Sequence, residues 1–154
     1  MATKAHCKYC FDVLIATLEK RSLSTIQPEF DNSISAFRDS RFRPIKVDEL
    51  PNLINCVSVL TNFELAKNYL DWEVGKHGII INFVDNGIKR NGTFLPEVAD
   101  EQEWDHIETI DNLIYKAGYE REISKSLRES LQVTRYQSSK ESMSYSEYAK
   151  LLKN

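Results

Sequence analysis

The chain has 154 residues, 42% hydrophobic and 28% charged, with a net charge of −3 and a pI near 5.7. That is one domain's length with room for a real core, and its acidic balance speaks against a dedicated nucleic-acid binder, which carries a basic excess. No apolar run approaches the roughly 18 residues of a membrane span, Met1 to Lys8 holds no apolar signal core, and an odd count of three cysteines points to reduced intracellular thiols.

Ala5 to Glu19 reads as a helix, because Cys7, Cys10, Phe11, Leu14, Ile15 and Leu18 recur at three- and four-residue spacing. Lys20 to Asn32 is polar, contains Pro28 and reads as a loop. Ser33 to Arg41 is at best a short helix, ended by Pro44. Ile54 to Phe63 is the best strand, rich in β-branched and apolar residues. Glu64 to Leu70 suits a helical turn leading into Asp71-Trp72. Ile79 to Val84 is a nearly continuous apolar strand, Asp85-Asn86-Gly87 a tight turn, and Ile88 to Phe94 its hairpin return. Asp105 to Ala117 is a second helix, with Ile107, Ile110, Leu113 and Ile114 on one face. Asp105 is its N-cap, Glu108 sits at the capping-box position and Gly118 stops it. Ser130 to Tyr136 reads as a strand and Ser144 to Leu152 as a terminal helix. Strands and helices mix without βαβ alternation, so the class is α+β, with a mixed, largely antiparallel sheet and flanking helices.

Several motifs in order carry a resemblance. They are Asp39-Ser40-Arg41-Phe42 with Pro44, Glu49-Leu50-Pro51, Val57 to Thr61, Asp71-Trp72-Glu73-Val74-Gly75-Lys76-His77-Gly78, Leu95 to Asp105, Arg135-Tyr136 and Ser144 to Tyr148. The chain resembles the AMMECR domain family from about Ala36 to Leu152, and Cys7 to Leu18 is similar to that family's opening helix. The resemblance implies a single domain over 1–154 with an internal deletion near 22–35. Family members carry strands with a Leu-Arg-Gly-Cys-Ile-Gly signature there, and nothing in Ser22 to Ser35 matches it. Deleting strands exposes sheet edges.

Candidate chemistry is sparse. Cys7-x-x-Cys10 beside His6 reads as buried thiols before metal or redox chemistry, since structural zinc needs about four ligands and the only other cysteine is Cys56. The acidic run Glu97, Asp100, Glu101, Glu103, Asp105, Glu108 and Asp111 reads as helix-start and solvated carboxylates before a cation site. Arg38, Arg41, Arg43 and Lys46 form a basic cluster, read as a solvated or ion-paired face. His106 reads as an exposed first-turn residue. No nucleophile sits in a recognisable catalytic setting, and five glycines build no phosphate loop.

The family-matching polar residues give the candidate ligand site: His77, Glu97, Gln102, Arg41 and Arg135, with no metal or cofactor expected. We expect a polar cleft where the turn before Ile79 meets Leu95 to Asp105. His77 would titrate, Glu97 would partner it, Gln102 would hydrogen-bond, and Trp104 would pack beneath. Arg41 and Arg135 would bind an anion or tie elements together. The expected function is an intracellular regulatory or protein-interaction module, cytoplasmic or nuclear. The alternative is an enzyme or accessory factor linked, as the family resemblance implies, to Memo-type and radical-SAM proteins. Nucleic-acid binding is the weaker alternative. A Memo-type protein is the partner the resemblance implies.

Overall fold

The structure, a computed structural model, describes residues 1–20 and 43–153. The expected loop and short helix between Arg21 and Phe42, with Arg38 and Arg41, lie outside the described residues. The fold is α+β, with a four-stranded antiparallel sheet and flanking helices. The chain forms two compact units. The first is Met1–Ser58 with Lys140–Asn154, and the second is Val59–Ser139.

The first unit begins with α1, Lys4–Leu18. Its apolar spacing buries Cys7 and Phe11 against Met143 and Tyr148. Phe11 meets the rings of Tyr148 and Tyr145 at 5.1 and 5.9 Å, and Tyr148 Oη donates to Asp12 at 2.8 Å. A short 3-10 helix, Val47–Asn52, turns around Pro51 and leads into β1, Ile54–Leu65. The terminal helix, Tyr145–Leu151, starts on a Ser144 cap that accepts from Glu147 N–H. Because it follows α2, α3 and α4 below, it is α5.

The second unit is built on a hairpin. β2, Gly78–Asp85, pairs with β3, Ile88–Phe94. Asn86 and Gly87 both take positive φ (49° and 80°), the conformation a two-residue turn between right-twisted strands needs. α2, Pro96–Glu101, and α3, His106–Lys116, follow. Asp105 Oδ1 accepts from Glu108 N–H at 2.8 Å while Glu108 Oε2 accepts from Asp105 N–H at 3.0 Å, so the capping box expected from sequence is formed. α4, Lys125–Ser130, then leads into β4, Gln132–Ser144. The sheet order is β1-β4-β2-β3.

Alternation on β2 sends Ile79, Ile81 and Phe83 to one face, where Ile110, Leu113 and Ile114 of α3 cover them. Each such side chain contributes roughly 1.5–3 kcal/mol on burial. A Cβ on Gly92 would stand 2.9 Å from Leu113 Cδ1, so glycine lets α3 lie close on β3.

Three sequence readings need correction. Glu64 to Leu70 is not a helical turn: Glu64 and Leu65 continue β1, and the bend that follows is held by Asp71 and Asn68 side chains accepting from Lys67 and Leu70 N–H. The strand expected over Ser130 to Tyr136 runs instead from Gln132 to Ser144. On α3, buried Thr109 joins the apolar face, where its hydroxyl donates to Asp105 O, while Ile107 is only half-buried.

Candidate functional site

The turn from Asp71 to Gly78 is anchored at its start by Trp72, which is 4% exposed. Trp72 Nε1 donates to Tyr69 O at 2.9 Å. Its carbonyl meets His106 Nε2 at 2.9 Å, and its ring lies 4.5 Å from the imidazole. His106 is therefore a half-buried partner of Trp72 and not the exposed residue expected from sequence. A single sequence offers no signal for that pairing, since 34 positions separate the two.

His77 closes the turn on itself. Its N–H donates to Glu73 O, and Nδ1 accepts from Glu73 N–H at 3.0 Å. Gly75, at φ 76°, provides the reversal that a side chain would resist. The imidazole is 6% exposed. Burial holds its pKa below the ordinary histidine value, helped by the charges of Lys76 and Arg135 and opposed by Glu73 and Glu64.

Tyr136 is the group the sequence reading did not single out. It is fully buried and faces Gly78 across the β4–β2 ladder. The ring occupies the space a side chain at 78 would fill, since a Cβ there would meet Cζ at 2.4 Å. Phe63 stacks on the other side at 5.4 Å. Tyr136 Oη donates to Phe94 O at 3.0 Å and lies 3.3 Å from Thr93 Oγ1. Burial raises the phenol's pKa; the Thr93 hydrogen bond lowers it, and the nearby Glu97 carboxylate adds to the rise.

Arg135, one residue earlier, points to the opposite face. Its Nε and Nη2 bind Glu64 Oε2 at 3.0 and 2.9 Å, and Nη1 binds both Asp71 O and Asp71 Oδ1. The Glu64 hydrogen bond is the first cause of its raised pKa. Arg135 thus joins the end of β1 to the start of the turn.

The two segments expected to form a cleft do lie side by side. A Cβ on Gly75 would stand 3.7 Å from Asp100 Cγ of α2, and Glu97, in the first turn of α2, acts on the Tyr136 that packs on Gly78. Of the candidate side chains, His77 and Arg135 are close enough for the charge of one to act on the other. The His77 ring hydrogen-bonds its own turn, Gln102 is exposed at the end of α2, and Arg41 lies outside the described residues. Trp104 is half-buried on Phe94 at 5.9 Å; the indole buried in the core is that of Trp72. Of the acidic run, Asp105 and Glu108 cap α3, and Asp111 takes a two-pronged bond from Arg128 at 2.7 Å. Among the described residues no three His, Cys, Asp or Glu side chains converge as a metal site. None of their helices is long and apolar enough to cross a membrane.

The AMMECR1 family model matches residues 15–141. The chain belongs to the AMMECR1 family. It is 50% identical over 141 residues to an uncharacterised Arabidopsis thaliana protein, covering 90% of this chain and 65% of that one. An uncharacterised Schizosaccharomyces pombe protein is 36% identical over 188 residues, with 96% of each chain covered. The crystal structure of an uncharacterised Pyrococcus horikoshii protein superposes with a TM-score of 0.53 and 32% identity, covering 70% of this chain and 53% of that one. This AMMECR1-family chain therefore spans 65%, 96% and 53% of the length of these three relatives.

Proposed function

We propose that this AMMECR1-family chain is an intracellular regulatory or protein-interaction module whose contact element is the outer edge of β1 over Val59–Leu65. The observation that carries this is the state of that strand. β1 ends the sheet order, with β4 as its one strand neighbour among the described residues. Leu60, Phe63 and Leu65 are 39%, 54% and 67% exposed, and the segment's sole charge is Glu64. A sheet edge without lysine or proline is a template for strand addition. The groups that would have served an enzyme are spent elsewhere: His77 holds its turn, and Arg135 is shared between two carboxylates.

The match to the S. pombe protein supports this reading. It runs over 188 positions against a chain of 154, so at least 188 − 154 = 34 positions of the match have no counterpart here. A strand-bearing segment absent near 22–35 would leave β1 at the sheet edge. The partner would supply an extended segment. A Memo-type protein is the class the family resemblance suggests, and a second copy of the chain is the simplest to test.

The test uses a fluorescent peptide copying Val59–Leu65. It should bind the whole chain, and the Leu60→Lys, Leu65→Lys variant should lose that binding while melting like the parent. Absence of peptide binding, in a chain that sediments as a monomer at all concentrations, would refute the proposal.

A further inference from the structure

The sheet face turned away from α3 carries a row of side chains that the fold does not need. Asn91, Asn82 and Gln132 are cross-strand partners on β3, β2 and β4. Their carboxamides therefore stand side by side at intervals of about 4.8 Å. All three are exposed, and with Val84, Lys89 and Ser130 they line a cleft of ≈ 710 Å³. It lies four residues along β2 from Gly78, about 13 Å from the Tyr136 cluster.

Asparagine is depleted in strands, and Asn82 sits on β2, which has neighbours on both sides. Threonine, valine or isoleucine would serve the sheet better there. Among the described residues, none of the three carboxamides has a hydrogen-bond partner, and Lys89 has no ion pair. Ser130, by contrast, already donates to Leu127 O at 2.8 Å. Each carboxamide offers one acceptor oxygen and two N–H donors, and Lys89 adds a positive charge. The volume falls in the range of small-molecule sites.

We infer that this cleft binds a small organic anion bearing an amide-type donor–acceptor edge. The edge pairs with Asn82 and its two neighbours, and the anionic group is held by Lys89. Two sources share that chemistry. A short peptide with a free carboxylate presents amide N–H and C=O side by side. A nucleoside monophosphate presents a base edge of the same kind, which asparagine and glutamine can meet with paired bonds. The Val84 side chain gives either ligand an apolar rest, since it is 63% exposed at the rim.

The experiment is a nitrogen–proton NMR titration of the whole chain, which sees the side-chain NH2 groups directly. The probes are acetyl-glycyl-glycine and adenosine monophosphate, added separately. One of them should shift the NH2 signals of Asn82, Asn91 and Gln132 together and saturate below about 10 mM. The probe that does so identifies the source. Asn82→Thr should weaken binding about tenfold, the loss of a paired hydrogen bond, while keeping the fold, because threonine is the better strand residue. Lys89→Met should weaken it for either probe. If neither probe moves these signals, the inference is overturned. If Asn82→Thr binds as tightly as the parent, it is overturned equally.

Discussion

Gly78→Ala tests the packing on which the candidate site stands. A Cβ at 78 would lie 2.4 Å from Tyr136 Cζ, 2.6 Å from Cε2 and 2.7 Å from Oη, against an ordinary carbon contact of about 3.5–4.0 Å. The ring has nowhere to go. It is fully buried, Phe63 backs it at 5.4 Å and its hydroxyl is tied to Phe94 O. Overpacking of this kind costs about 1–3 kcal/mol. Tearing the hydroxyl from its acceptor adds about 0.5–1.5 kcal/mol. The sum, about 2–4 kcal/mol, should lower the melting temperature by about 5–15 °C in a chain of this size. Thermal and urea denaturation of the four chains of a Gly78→Ala, Tyr136→Ala cycle would measure it. With Tyr136 truncated, the extra methyl should cost little, so the two changes should be far from additive. A Gly78→Ala protein that melts with the parent, or a cycle that sums, would refute the packing argument.

Three further outcomes follow from the same geometry. Nδ1 of His77 accepts the Glu73 N–H only while unprotonated, and its folded pKa is lowered, so the unfolded chain takes up the proton first. The turn's contribution is therefore whole above the free imidazole pKa of about 6.5 and is lost as pH falls below it. His77→Asn, which keeps an acceptor but does not titrate, should be compared with the parent by urea denaturation across that range. A stability difference between the two that does not change with pH would contradict the assignment. Asp85 is 9% exposed between Arg90 and Arg121, so Asp85→Ala strands the half-buried Arg90 and should cost about 3 kcal/mol in urea denaturation; an unshifted midpoint would speak against this. Cys7 is fully buried, burial raises its thiol pKa, and its thiol donates to Glu141 O at 3.3 Å, whereas Cys56 is exposed. Iodoacetamide followed by mass spectrometry should modify Cys56 first and Cys7 only on unfolding. Equal rates would show the burial to be wrong.

Local signals were legible where one short segment carries both the propensity and its stop. Asp85-Asn86-Gly87 announces the β2–β3 hairpin, and the Asp105 and Glu108 pair announces α3, because turn and cap chemistry act within four residues. α4 was hidden because Lys125–Ser130 has one apolar residue and no period, and only the Ser124 cap marks it. The far half of β4, from Gln137 onward, is polar, so its strand state depends on pairing rather than pattern. Glu64 and Leu65 look helical alone and are held in β1 by the sheet, with Arg135 bound to the Glu64 carboxylate. For the site, the sequence marked His77 and Glu97 as polar residues on two loops, and the segments bearing them do adjoin. What it did not show was Tyr136 filling the space over Gly78, or the histidine turned into its own backbone, since both depend on three-dimensional register.

The placement of the indoles has a consequence for spectroscopy. Both tryptophans, Trp72 and Trp104, lie in Val59–Ser139, while the other unit holds only the tyrosines Tyr9, Tyr145 and Tyr148. Emission excited at the indole band is therefore a signal from one unit, whereas far-ultraviolet circular dichroism gathers α1 and α5 as well. Overlaying the two denaturation curves would show whether the units lose structure together or each with its own midpoint, and it needs no label. Within that emission the two indoles differ in surroundings: Trp72 lies 4.5 Å from the His106 imidazole, while Trp104 rests on Phe94. The emission of the unaltered chain thus sums a reporter of the Asp71–Gly78 turn and a reporter of the corner between α2 and α3.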